Sequence, residues 1–242
     1  MTCIDATGLS FRQVNEAIAA AKDADVLLEH ALGQRYIGAG LRDKRLRIRG
    51  VPGNALGAYM DGAQLRVEGN AQDAVGDTMN DGEIVVDGSC GDALGYAMRG
   101  GSIFVRGNVG YRCGIHMKAY REKQPRIVIG GRAGSFLGEY QAGGRILVLG
   151  LGLEEEQPPV GAFPAMGQHG GAIFLRCRRP PQDLPAQVTA KPADGEELLW
   201  LQGDLRDFCQ RFGLDPEPLL ADEYWCLRPN TENPYKRLYT PY

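Results

Sequence analysis

Residues 57–117 decide the fold. They read GAYMDGAQLRVEGNAQDAV (57–75), GDTMNDGEIVVDGSCGDAL (76–94), GYAMRGGSIFVRGNVGYRC (95–113) and GIHM (114–117). Gly57, Gly76, Gly95 and Gly114 stand nineteen residues apart, and Met60, Met79, Met98 and Met117 keep the same step. Leu65–Val67, Ile84–Val86 and Ile103–Val105 hold one fixed place between them. A period this strict means that one small unit is repeated and stacked. The apolar residues of each unit alternate with others, which is the period of a strand and not of a helix. Glycines recur before each strand, where tight corners need positive φ or close backbone approach. Together these features predict a β-solenoid.

The repeat extends both ways. One step back gives Gly38, Leu41 and Leu46–Ile48. Forward of Gly114, five extra residues fall within 118–125 before Ile127–Ile129; Gly134, Gly138, Gln141, Ile146 and Val148 then restore the pattern. Eight more, within 151–160, precede Gln168, Ile173 and Leu175. The sequence therefore predicts about seven coils over 31–177, a rod of roughly 34 Å at about 4.8 Å per coil. The inward rows are Leu46, Leu65, Ile84, Ile103, Ile127, Ile146, Ile173 and Ile48, Val67, Val86, Val105, Ile129, Val148, Leu175. The methionines fill corners as packing.

Three segments are expected: a capping helix and strand over 1–30, the solenoid over 31–177, and a linker, short helices and extended tail over 178–242. Ser10 and Gln13 suit a capping box for a helix at about 11–23, and 26–29 reads as a strand. The proline-rich stretch 178–194 reads as linker. Residues 196–201 and 204–212 read as two short helices, and 225–242 as extended chain. The row Arg47, Arg66, Val85, Phe104, Val128, Leu147, Phe174 should face solvent but turns apolar at Val85. Such a stripe marks a surface covered either by a partner protein or by the C-terminal helices, and the helices, whose apolar face needs burial, are the expected cover.

Composition excludes several classes. The chain has 27 Lys and Arg against 30 Asp and Glu, a net charge of −3, with no basic patch that would suit nucleic acid. No apolar run approaches membrane-spanning length, and no secretory signal is visible. The six cysteines lack C-x-x-C spacing, which suits a reducing cytoplasm. There is no G-x-S-x-G elbow, no phosphate-binding G-x-x-x-x-G-K-[ST], and no paired His, Cys or carboxylate spacing for a metal. His30, His116 and His169 read as structural, and Glu154-Glu155-Glu156 as a solvated loop. Thr2 as an N-terminal nucleophile has nothing else in its favour. No catalytic, cofactor-binding or metal residue is assigned. The corner glycines Gly57, Gly76, Gly95, Gly114 and Gly138 are structural. The insertion after His116 breaks the period, and insertions on solenoids tend to lie on the working face. Lys118, Tyr120, Arg121 and Lys123 are therefore the candidate docking loop.

The glycine ladder, with Gly95-Tyr-Ala-Met-Arg-Gly-Gly101 and Gly110-Tyr-Arg-Cys-Gly-Ile-His-Met117, resembles the GXGXG domain of glutamate synthase in its stand-alone form. The likeness covers about 36–175, and Asn233-Pro-Tyr235 and Leu238-Tyr-Thr240 echo the family's ending. It implies a right-handed parallel β-helix without catalytic residues. It also implies partners: an amidotransferase subunit and a barrel subunit with FMN and an iron–sulfur cluster. The role implied is a scaffold that seats the two so that ammonia passes between them, with no cofactor in this chain. Similar glycine-rich β-helices occur as a subunit of formylmethanofuran dehydrogenase, in the formyltransferase/hydrolase complex and in N-methylglutamate synthase. A free-standing solenoid stacking end to end as a homo-oligomer is the alternative of another class, and the capping helix argues against it.

Overall fold

The computed structural model describes residues 1–154 and 157–230. Nine parallel strands stack in sequence order: β1 (Thr2–Asp5), β2 (Asp25–Leu32), β3 (Arg45–Val51), β4 (Asp61–Glu68), β5 (Asp81–Val86), β6 (Ser102–Val105), β7 (Arg126–Ile129), β8 (Ala142–Val148) and β9 (Gly170–Arg176). The register follows the repeat: Leu65 lies beside Ile84, Ile84 beside Ile103, and Ile103 beside Ile127. Isolated parallel bridges run through Ala71, Cys90, Val109, Ala133 and Val160, so a second side of each unit also stacks on the next. Both predicted inward rows are buried. Met60, Met79, Met98 and Met117 are fully buried, and Gln141 and Gln168 continue their column.

The corners explain the glycines. Each corner places three left-handed residues two apart, as in Ala93, Gly95 and Ala97 with φ of 55°, 68° and 50°. The middle N–H donates to the coil before, Gly95 N to Val75 O at 2.7 Å. The flanking N–H groups donate to the coil after, Ala93 N to Tyr111 O at 2.7 Å and Ala97 N to Ile115 O at 2.9 Å. A Cβ on Gly95 would stand 2.5 Å from Ile127 Cδ1, a contact no packed side chain tolerates. Short polar side chains complete the stack. Asp73 Oδ1 accepts from Asp92 N at 2.9 Å, and Asp92 Oδ1 accepts from Tyr111 N at 2.8 Å.

Both ends of the sheet differ from the sequence expectation. The first helix, α1 (Phe11–Ala20), carries the capping box on Ser10 and Gln13 but ends earlier than expected, and it joins β1 to β2. Both strands belong to the parallel stack, where sequence reading had only 26–29 as a strand. Their corners lack the glycine period that made the rest legible. Val14 and Ile18 of α1 are buried with the inner rows, and Gly38 N donates to Asn15 Oδ1 at 3.0 Å.

At the other end the supposed linker contains β10 (Val188–Pro192). The first residues of the supposed extended tail form β11 (Tyr224–Pro229), which lies antiparallel between β9 and β10. The rest of the tail, including Asn233-Pro-Tyr235, lies outside the described residues. The two short helices are one, α2 (Gly195–Phe212), followed by a turn of helix, α3 (Glu217–Leu220). Gly203 does not break α2, because neighbouring Leu201 and Leu205 are anchored in a buried cluster.

That cluster is the apolar stripe. Val85, Phe104, Val128, Leu147 and Phe174 are buried with Leu201, Leu205, Phe208 and Cys209 of α2. The stripe stays polar where α2 does not reach: Arg47 is exposed and pairs with Glu68. An ionic lock sits on the same interface. Asp204, only 3% exposed, accepts from Arg126 and Arg145, with bonds of 2.8–3.0 Å. Arg126 also reaches Asp207, and Arg211 reaches Glu83. The Arg126 guanidinium is held above its ordinary range by these carboxylates, which outweigh the burial that opposes its charge.

These contacts can be tested by substitution. Gly95→Ala is expected to cost at least about 1–2 kcal/mol from the left-handed backbone alone. Ala97→Gly, two residues on, should leave stability unchanged or raise it. Urea unfolding of both variants checks the pair, and equal losses would break the argument. Asp204→Ala leaves two half-buried guanidiniums without their shared carboxylate and is expected to cost about 3–5 kcal/mol. Phe208→Ala should cost a similar amount. Loss of less than about 1 kcal/mol in both would mean that α2 is not held by this face.

Candidate functional site

The described residues hold no group of three or more His, Cys, Asp or Glu side chains arranged for a metal ion. Burial pushes the thiols of Cys90, Cys113 and Cys226 well above their ordinary range, and that of Cys177 up to about 11. A nucleophilic thiolate needs the opposite shift. Cys177 lines a cleft of about 620 Å³, together with Glu154, Gln157, Arg176 and Asp222. There Arg176 is committed to Asp222 and to Leu149 O at 2.9 Å. Of the carboxylate run, Glu155 and Glu156 lie outside the described residues. No helix among the described residues is long and apolar enough to cross a membrane.

The residues left for function lie on the corner edge of the stack. His116 stacks on Tyr140, with ring centroids 5.1 Å apart, and meets Tyr96 edge-on at 5.9 Å. Phe136 stacks on Phe163 at 5.4 Å, under the Arg112 guanidinium. Tyr59, Tyr96, Tyr111 and Phe163 are all exposed. Sequence reading missed this row. The signal was present, because Tyr59 and His116 occupy the same place three repeats apart. His116 precedes the buried Met117, whereas His169 follows the buried Gln168, so the two histidines lie on opposite flanks of that column. His169 Nδ1 is 3.1 Å from Gly167 O.

The insertion forms a tight hairpin. Tyr120 N donates to Lys123 O at 3.1 Å, Lys123 N donates back to Tyr120 O at 3.0 Å, and Arg121 takes the left-handed conformation at φ 55°. The hairpin folds back over earlier coils. Lys123 Nζ lies 2.8 Å from Asp81, 3.5 Å from Asp61 and 3.3 Å from Asn80 O. A Cβ on Gly100 would meet Lys123 at 3.0–3.1 Å, so the missing side chain lets the hairpin lie flush. Of the four residues read as a docking loop, Lys123 is therefore the anchor that seats the hairpin on its own scaffold. Lys118, Tyr120 and Arg121 are exposed, with the Arg121 guanidinium 5.2 Å from the Tyr120 ring.

Between the hairpin and the stack runs an open groove of about 550 Å³. Its floor is one row of the repeat: Arg42, Asp61, Asn80 and Arg99, each nineteen residues after the last. Arg42 pairs with Asp61 at 2.9 Å. The Lys123 bond holds Asp81 below its ordinary carboxylate range, while Lys123 is raised. A depressed carboxylate contributes above its unfolded value and loses that contribution as pH falls through its folded one. The clamp is thus complete at neutral pH.

These features can be set beside known proteins. The profile of the GXGXG motif family matches residues 13–222. The chain belongs to the GXGXG motif family. It is 41% identical to an uncharacterized protein of Methanocaldococcus jannaschii, over 98% of this chain and 96% of that one. Its fold is similar to a chain of the formyltransferase/hydrolase complex of Methylorubrum extorquens, solved in complex with methylofuran. The TM-score is 0.62 at 18% identity, covering 92% of this chain and 88% of that one. In this chain the first three-residue corner holds two glycines, Gly38 and Gly40, and most later corners hold only the middle one.

Removing the clamp tests its role. Lys123→Ala is expected to speed tryptic cleavage after Arg121 several-fold at neutral pH without changing the unfolding midpoint. Cleavage at the wild-type rate would show that the turn and Gly100 seat the hairpin without the ion pairs.

Proposed function

We propose that this chain is a non-catalytic scaffold subunit of a split glutamate synthase. It would seat an amidotransferase subunit and an FMN and iron–sulfur barrel subunit, and would hold no cofactor itself. The reading is carried by the family membership over 13–222, together with the Gly110–Met117 stretch and its following insertion, which resemble the glutamate synthase branch. The structure supports a scaffold in one respect. The backbone N–H groups of the corners are spent on stacking coils, and the corner edge and inserted hairpin leave aromatic and cationic side chains exposed. In this reading the stack is a right-handed β-helix, the hand favoured when a parallel strand crosses over to its neighbour.

A second reading draws on the fold likeness. The related chain belongs to a formyltransferase/hydrolase complex, so a scaffold in one-carbon transfer is the competing assignment. The partner set separates them. Co-expression with an amidotransferase chain and an FMN-barrel synthase chain from the same source should give a complex that co-migrates on size exclusion and forms glutamate only when this chain is present. Co-migration with formyltransferase-type chains instead would transfer the assignment to the second reading. The purified chain alone should be colourless and without glutaminase activity; stoichiometric flavin or glutamine turnover would refute the scaffold role.

A further inference from the structure

The groove beside the inserted hairpin holds more positive charge than its own chain neutralises. Arg42 and Lys123 are spent on Asp61 and Asp81. Arg99 and Arg121 line the same groove and have no carboxylate partner among the described residues. Lys118, the next step of the floor row after Arg99, has none either. Against these three cations stands one rim carboxylate without an ion pair, Glu122. The chain as a whole carries a net charge of −3, so an anion drawn here is drawn by this local arrangement.

The shape narrows the ligand. Lys118 N donates to Met98 O at 2.9 Å and Arg99 N to Met79 O at 2.8 Å, so Asn80, Arg99 and Lys118 follow one another coil by coil. Their spacing is then about 4.8 Å per step. An extended segment running along the row passes Arg99 on the groove floor and reaches Lys118 one coil beyond it, with Arg121 also lining the groove. The Tyr120 ring holds the Arg121 guanidinium against its face, which leaves the N–H edge for a carboxylate. A small compact anion would engage only part of this row, and the groove is open along its length.

We propose that this groove binds an acidic, extended peptide segment of a partner protein. The proposal rests on reading the chain as a subunit, and it adds which surface carries a partner and with what charge.

The test uses the full chain and a fluorescein-labelled peptide of alternating glutamate and serine, followed by fluorescence anisotropy at low and at physiological salt. Saturable binding is expected, weaker at higher salt. It should fall at least about tenfold in an Arg99→Glu, Arg121→Glu double variant. The milder Arg99→Gln, Arg121→Gln pair should show the same direction, and circular dichroism should confirm that both fold. Arg132→Glu, an exposed arginine on the corner that carries Asn108, should leave binding unchanged. No saturable binding, or an equal loss in the Arg132 variant, would overturn the proposal. So would citrate or phosphate binding with the same arginine dependence where the peptide does not bind. Each of these failures leaves the co-migration experiment on the scaffold role unaffected.

Discussion

The structure depends on one steric condition. At five successive corners the middle residue must take a left-handed backbone while an isoleucine of the next coil presses against the place where its side chain would be. At Gly57, Gly76, Gly95, Gly114 and Gly138 the intruding atom is Cδ1 of Ile84, Ile103, Ile127, Ile146 and Ile173, at 2.5–2.7 Å from an added Cβ. The two facts are one device. The absent side chain lets coils approach to hydrogen-bonding distance, and the isoleucine fills the space that the absence leaves. In the last coil Ala165 stands in the middle place with φ 60°, and no coil of the repeat follows to press against it.

Stacking alone does not finish the molecule. From β5 onward the outward face of the sheet is apolar, and a parallel sheet is stable only when both faces are covered. Helix α2 supplies the cover, and its grip combines shape and charge. Phe208 lies close enough to the backbone of Gly130 that an added Cβ there would stand 2.8 Å from its Cζ. Asp204 joins arginines from two neighbouring strands. The arginines also lie over aromatic rings: Arg126 and Arg211 over Phe104, and Arg145 over Trp200. Their charge is thus balanced by carboxylates on one side and ring faces on the other, and the helix is fixed in position along the stack as well as pressed onto it.

Most of the parallel stack was legible in the sequence because its coils repeat the same three demands: a glycine at the corner, a gap-filling side chain that is methionine in four of them, and an alternating strand. Sequence reading failed where those demands stop. β1 and β2 pair in register without the glycine period. β10 is short and partly exposed, among prolines that read as linker. The helix break expected between 201 and 204 disappeared because burial of Leu201 and Leu205 outweighs the weak helix propensity of Gly203. The aspartate ladder and the aromatic edge were visible as letters, but their roles depend on which coil lies above, which spacing alone does not weigh. The inserted hairpin was legible from the break in period. Its inner economy, with Lys123 turned back onto Asp81, needed coordinates.

A repeat that spends its residues on stacking leaves few places for individuality. The inner rows are nearly uniform, and a change there costs packing. Individual chemistry is confined to corner tips, to the covered stripe and to the two insertions. The insertion at 118–125 is the more constrained of the two. It is closed by paired backbone hydrogen bonds, seated over a glycine and held by an ion pair to an earlier coil. A merely tolerated insertion requires none of these. A hairpin fixed at three points, with its remaining arginine held flat against its tyrosine, has lost its conformational entropy before any partner arrives. Binding at its groove then costs less ordering than binding at a free loop, which is the physical reason to look for the partner surface at this break in the period.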